Sequence, residues 1–139
     1  MWLLYAFLSA ICAALVAIFA KLGLKSIDST LATTVRSVIM SLFLLAVAAA
    51  FKKFSFASLD AFSAREWLMI TLAGIAGALS WLFYFLAIQA GNVTPVVAID
   101  RLSIAFVVLL AALFLGEPAS LRVVMGTGLI IAGALMISL

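Results

Sequence analysis

The sequence predicts an all-α polytopic membrane protein, a bundle of five transmembrane helices forming one domain over residues 1–139. Three observations support this. Hydrophobic residues make up 69% of the 139 and charged residues only 9%, whereas soluble domains are about half apolar and about a quarter charged. The apolar residues gather in five runs, at about 2–22, 31–51, 67–89, 95–115 and 121–139. Each is close to the ~20 residues a helix needs to cross hydrocarbon. The segments between them are short and polar, so neighbouring helices pack antiparallel.

Each element has its own punctuation. The first run, MWLLYAFLSAICAALVAIFA, has no basic residue ahead of it. It exceeds the ~7–15 apolar residues of a signal peptide, so a retained first helix is expected, followed by Lys21 and Lys25 in a loop. Asp28, Ser29 and Thr30 are candidate N-caps for the second helix. The linker KKFSFASLDAFSARE alternates aromatic and polar residues and is expected to lie along the interface. Ser63-Ala-Arg-Glu66 fits a capping box opening the third helix. Gly91 and Asn92 can end that helix, and Thr94-Pro95 reads as N-cap then first residue of the fourth. Gly116-Glu-Pro118 closes the fourth, and Ser120 can cap the fifth.

The same composition removes most enzymology. Cys12 is the sole cysteine, so no internal disulfide is possible, and there is no histidine. No residue cluster has metal-ligand spacing. Gly-rich phosphate loops, Ser–His pairs and paired catalytic carboxylates are absent. The expectation is a protein that is not an enzyme and has no metal or cofactor. The net charge of +3 suits anionic lipid and does not point to nucleic acid.

Charge placement gives a weak vote on orientation. One side of the membrane carries Lys52, Lys53, Arg65 and Arg122; the other carries Lys21 and Lys25, joined by Arg36 and Arg101 if these reach back. Such near balance is what insertion in both orientations would need. Small residues mark where helices can approach closely. In the third helix Gly74 and Ala78, and Ala73 and Gly77, lie four apart. The fifth has Gly126, Gly128, Ala132 and Gly133. Packing within the subunit is one reading of these; a subunit interface on the fifth helix is the other.

PVVAIDRLSIAF places Asp100 and Arg101 side by side in an oily run. Insertion scales charge roughly 3 kcal/mol for each, and thirteen Leu, Ile, Val and Phe between Val96 and Leu115 return on the order of 4–8 kcal/mol. The helix can insert, but its charges must turn away from lipid. At about 1.5 Å per residue they lie ~8 Å below the surface. Arg36, Tyr84 and Trp81 fall in about the same layer, and Ser103 shares a face with Asp100 at i+3. Arg101 points about 100° away. Two readings follow. A buried Asp100–Arg36 pair could fix the packing, or Arg36, Trp81, Tyr84, Asp100, Arg101 and Ser103 could line a pocket for a small-molecule solute. Trp81, Tyr84 and Phe85 could then stack on that solute.

AKLGLKSIDSTLATTVRS, and the stretch from SWLFYFLAIQAGNVTPVVAID through LGEPASL to the Gly-rich last helix, closely resemble the EamA-domain proteins of the drug/metabolite transporter superfamily. The likeness covers nearly the whole chain, is strongest over 81–137, and includes Arg36 in the second helix. Most of those proteins carry two five-helix units in tandem, of opposite orientation, around a solute cavity. A single unit therefore implies a homodimer or a paired homologous subunit, with antiparallel copies. The resemblance implies a multi-pass permease of the cell membrane, the inner membrane of a bacterium, exporting metabolites or drug-like solutes by alternating access. The four-helix multidrug exporters use a glutamate in their first helix; residues 2–20 here contain none. A non-transporting scaffold or accessory subunit and a lipid flippase subunit are the rival readings.

Overall fold

A computed structural model describes residues 1–24, 26–52 and 62–139. Its helices are α1 (Trp2–Gly23), α2 (Ser29–Ala50), α3 (Ala64–Ala90), α4 (Val93–Asp100), α5 (Ser103–Leu110), a π-helical segment Ala111–Leu115, and α6 (Leu121–Ser138). No strand occurs among the described residues. Five spans are long and apolar enough to cross a membrane, with Val93–Leu115 forming the fourth. Lys25, Lys53 and most of the aromatic–polar linker, with its expected interfacial course, lie outside the described residues.

The helix starts follow local chemistry. The first N–H groups of a helix lack intrahelical acceptors, and side-chain oxygens supply them. Asp28 Oδ1 accepts from the Leu31 N–H at 3.0 Å. Ser63 Oγ accepts from the Glu66 N–H at 3.3 Å, while Glu66 Oε2 accepts from the Ser63 N–H at 2.8 Å. This reciprocal pair is the capping box expected of that spacing. Ser120 Oγ accepts from the Val123 N–H at 3.4 Å. The fourth start differs from the expectation at Thr94-Pro95. Asn92 is the cap and Val93 the first helical residue, so Pro95 sits third. A proline loses nothing there, because first-turn N–H groups have no intrahelical partner.

The fourth span is not one uniform helix. At its charges the backbone tightens into i→i+3 bonds: Arg101 N–H to Ala98 O at 3.1 Å, Leu102 to Ile99 at 2.9 Å, Ile104 to Arg101 at 3.2 Å, and Ala105 to Leu102 at 3.0 Å. Such 3₁₀ geometry inside a helix marks a hinge or local strain. Further on, Ala111–Leu115 widens to π geometry, and Gly116 closes it in the left-handed region at φ 67°. The N–H groups of Gly116 and Glu117 both reach Ala111 O. A side chain at this φ is strained, so Gly116→Ala should lower stability by about 1 kcal/mol. The midpoint of thermal unfolding in mild detergent measures this.

The chain divides into two units, Met1–Leu22 with Ala87–Leu139, and Gly23–Leu86. In the first, α6 packs on α4 and α5. The buried residues of this unit are mostly small: Ala17, Ala20, Ala98, Thr127 and Ala134, with Ile88 the larger exception. In the second they are Leu24, Ser29, Thr33 and Phe85. Large apolar side chains such as Phe7, Phe43, Phe83 and Phe114 face outward. Water would penalise that surface, while lipid tails do not. Close contact between helices is then left to small residues and polar bonds.

Candidate functional site

In the second unit the site grows from α2. Its hydroxyls return to their own helix: Thr33 Oγ1 donates to Ser29 O at 2.7 Å, Thr34 to Thr30 O at 2.9 Å, Ser37 to Thr33 O at 2.8 Å and Ser41 to Ser37 O at 2.9 Å. This i→i−4 bonding lets a hydroxyl-rich helix enter lipid with its donors satisfied. Ser29 differs: it is fully buried, and its Oγ has no hydrogen-bond partner among the described residues. Ser29, Thr33 and Arg36 recur at i, i+4 and i+7, one stripe of the helix.

Arg36 projects from that stripe onto α3. Its Cζ lies 3.8 Å from the Trp81 ring centroid and 5.5 Å from that of Phe85. Trp81 meets Tyr84 edge-to-face at 5.5 Å and Phe85 at 6.0 Å. Their spacing of i, i+3 and i+4 puts the three rings on one face. Partly desolvated cation–π contacts of this kind contribute roughly 1–2 kcal/mol. Among the described residues Arg36 has no hydrogen bond or ion pair.

In the first unit the tight turn sets the other candidates. Asp100 is half-buried, whereas Arg101 and Ser103 are exposed. Arg101 and Ser103 line a shallow groove of about 310 Å³ with Ile104, Val107 and Ile130. Asp100 does not line it, although a regular helix would put Ser103 on the face of Asp100; the i→i+3 turn intervenes between them. So Arg36, Trp81 and Tyr84 are brought together, and Arg101 and Ser103 share a separate groove. No His, Cys, Asp or Glu group among the described residues could hold a metal ion.

Sequence reading left Lys21 in a loop, but its role is more specific. It sits in the last turn of α1, and its Nζ donates to Ile88 O and Gly91 O, each at 2.7 Å. The terminal carbonyls of α3 thereby gain a cationic cap, favoured by both hydrogen bonding and the helix dipole. No local motif announces a contact across 67 and 70 residues. Lys21→Met should lower stability by about 1–2 kcal/mol, the range for a partly buried helix-end cation. Lys21→Arg should keep most of it. Chemical unfolding of the two purified variants is the check.

The small-residue set on α6 divides. Thr127 and Ala134 are buried, Gly126 and Gly133 half-buried, and Gly128 and Ala132 exposed alongside Met125, Leu129 and Met136. A Cβ added at Gly126, Gly128 or Gly133 would meet nothing within 4 Å. Packing within the chain therefore does not demand glycine at these places.

Comparison with known proteins adds to this geometry. The family model described as the EamA-like transporter family matches residues 1–139. A Sinorhizobium sp. protein described as "Uncharacterized transporter in cobO 3'region" is 39% identical over 137 residues, covering 99% of this chain and 96% of that protein. No solved structure matches the chain.

Proposed function

The chain belongs to the EamA-like transporter family, and from that premise we propose that it is a subunit exporting small metabolites or drug-like solutes by alternating access. Membership makes it a multi-pass membrane protein with a transporter role. The finer reading rests on one observation: a half-buried guanidinium inside a span, stacked on Trp81 and without a hydrogen bond or ion pair among the described residues. An ionisable residue inside a span is a functional-site candidate by default. In the first unit, Asp100, Arg101 and Ser103 lie on the interrupted fourth span, which is broken in the manner of the helices that line transporter cavities.

The working unit in this reading is a dimer in the bacterial inner membrane, either two copies of opposite orientation or a pair with a homologous subunit. The exposed Gly128 and Ala132 give α6 a surface that a second helix can approach. Gly128→Leu should abolish cross-linking between copies yet leave helix content unchanged, since a Cβ built there meets no atom of the described residues within 4 Å. Labelling of one engineered terminal cysteine from both faces of the membrane would support opposite orientations. Labelling from one face only would sink them.

Transport itself is tested by solute flux in proteoliposomes, with and without a proton gradient. Absence of flux across a wide panel would favour the scaffold reading. In that case Arg36→Gln and Asp100→Asn would lower stability alone. The groove lined by Arg101 and Ser103 together with Ile104, Val107 and Ile130 joins polar and apolar groups and favours a second reading, a flippase subunit. Movement of a fluorescent phospholipid between leaflets would distinguish it.

A further inference from the structure

The surroundings of Arg36 point to a class of solute, an inference that rests on the pocket reading above. A guanidinium has two flat faces for stacking and five N–H donors around its edge. Here the Arg36 Cζ lies 3.8 Å from the Trp81 ring centroid and 5.5 Å from that of Phe85, close enough for the rings to take up a face of the guanidinium. That contact uses none of the donors. Both described carboxylates of the second unit are engaged elsewhere: Asp28 caps α2, and Glu66 closes the capping box of α3. The hydroxyls of Thr33 and Ser37, beside Arg36 on α2, donate to carbonyls of their own helix. Arg36 stands seven residues past Ser29, about 10 Å along the helix. A cation so placed needs an anion or water to offset its desolvation.

We infer that the solute carries an oxyanion, a carboxylate or a phosphate, which docks edge-on to Arg36 while the Trp81 indole holds the guanidinium plane. The fork of N–H donors matches two oxygens of one such group, giving short charge-assisted bonds. Stacking fixes the plane of that fork, so the anion is received in one orientation. Lysine could supply the charge but neither the fork nor the stack.

Trp81 is itself the reporter. Of the three tryptophans, Trp2 and Trp67 are replaced by phenylalanine, leaving a full-length chain whose emission comes from Trp81. In phosphatidylcholine nanodiscs it is titrated with benzoate against benzamide, and with glucose 6-phosphate against glucose. The expected result is a saturable change for at least one anion, with its neutral partner at least tenfold weaker. Arg36→Gln should abolish the response, and Arg36→Lys should weaken it at least fivefold. Equal affinity for the neutral partners, silence towards both anions, or a response surviving Arg36→Gln would each overturn the inference. So would an Arg36→Gln/Asp100→Asn double variant more stable than either single one, which would make Arg36 a structural ion-pair partner. A response to added phosphatidylglycerol without solute would identify the oxyanion as a lipid headgroup. A response only to soluble anions would identify a free solute. Parallel flux measurements separate the failures: flux of neutral solutes without an anion response defeats the oxyanion inference alone, and an anion response without flux defeats the transport reading alone.

Discussion

Trp81→Ala is expected to lower stability by roughly 2–4 kcal/mol and to reduce solute flux to background. Truncating a fully buried tryptophan costs about 3–5 kcal/mol. Trp81 is only half-buried, which lowers that figure. It also holds edge-to-face contacts with Tyr84 and Phe85 and the cation of Arg36. Such ring pairs add about 0.5–1.5 kcal/mol beyond area, and the cation a similar amount. Trp81→Phe keeps a ring under the guanidinium and should regain most of the stability. Thermal unfolding and proteoliposome flux, measured on the same preparations, show whether the two losses travel together. Flux lost in Trp81→Phe at near-normal stability would assign the indole to solute handling. Full flux in Trp81→Ala would remove the stack from the transport cycle.

The second large effect runs in opposite directions for stability and function. Replacing Asp100 and Arg101 together by leucine should ease insertion of the fourth span by roughly 6–8 kcal/mol, from about 3 kcal/mol per charge removed and about 0.5 per leucine gained. Transport should nevertheless fall to background. The double variant would lose the polar groups at the tight turn, and leucine would favour an unbroken helix there. The protein gains in lipid compatibility, so flux lost at normal yield and unfolding midpoint would assign the loss to transport. Yield, unfolding midpoint and flux together decide the matter. Wild-type flux in this variant would show that the two charges do not serve transport.

Much of the fold was legible because its signals are local. Asp28, the Ser63–Glu66 box, Ser120 and Gly116 each act within a few residues of their own position, and each ends or begins a helix where its chemistry requires. The start of α4 lies two residues before the expected place: Asn92 and Thr94 are both cap residue types, the Asn92 side chain makes no capping bond to mark the choice, and proline is tolerated throughout the first turn. The tight turn at Asp100–Ser103 was invisible: neither glycine nor proline marks it, and the flanking residues suit a continuous helix. Residue counting put Arg36, Trp81 and Tyr84 in one layer, because depth along a helix follows from rise alone. Which faces meet depends on helix rotation and packing, which are set by distant residues. Lys21 was missed for the same reason. Its acceptors are backbone carbonyls, and every residue has one.

The unequal lengths of the spans bear on the bilayer itself. α3 runs for 27 residues and α6 for 18, about 40 Å and 27 Å of helix. A hydrocarbon layer ~30 Å thick lies between the two lengths. The longer helix must tilt or stand proud, and the shorter must thin the lipid around it. Acyl-chain length therefore acts on the two helices in opposite senses. Thin membranes relieve α6 while forcing α3 to lean, and thick membranes do the reverse. Reconstitution across a series of chain lengths should give a single optimum, with activity falling away on both sides.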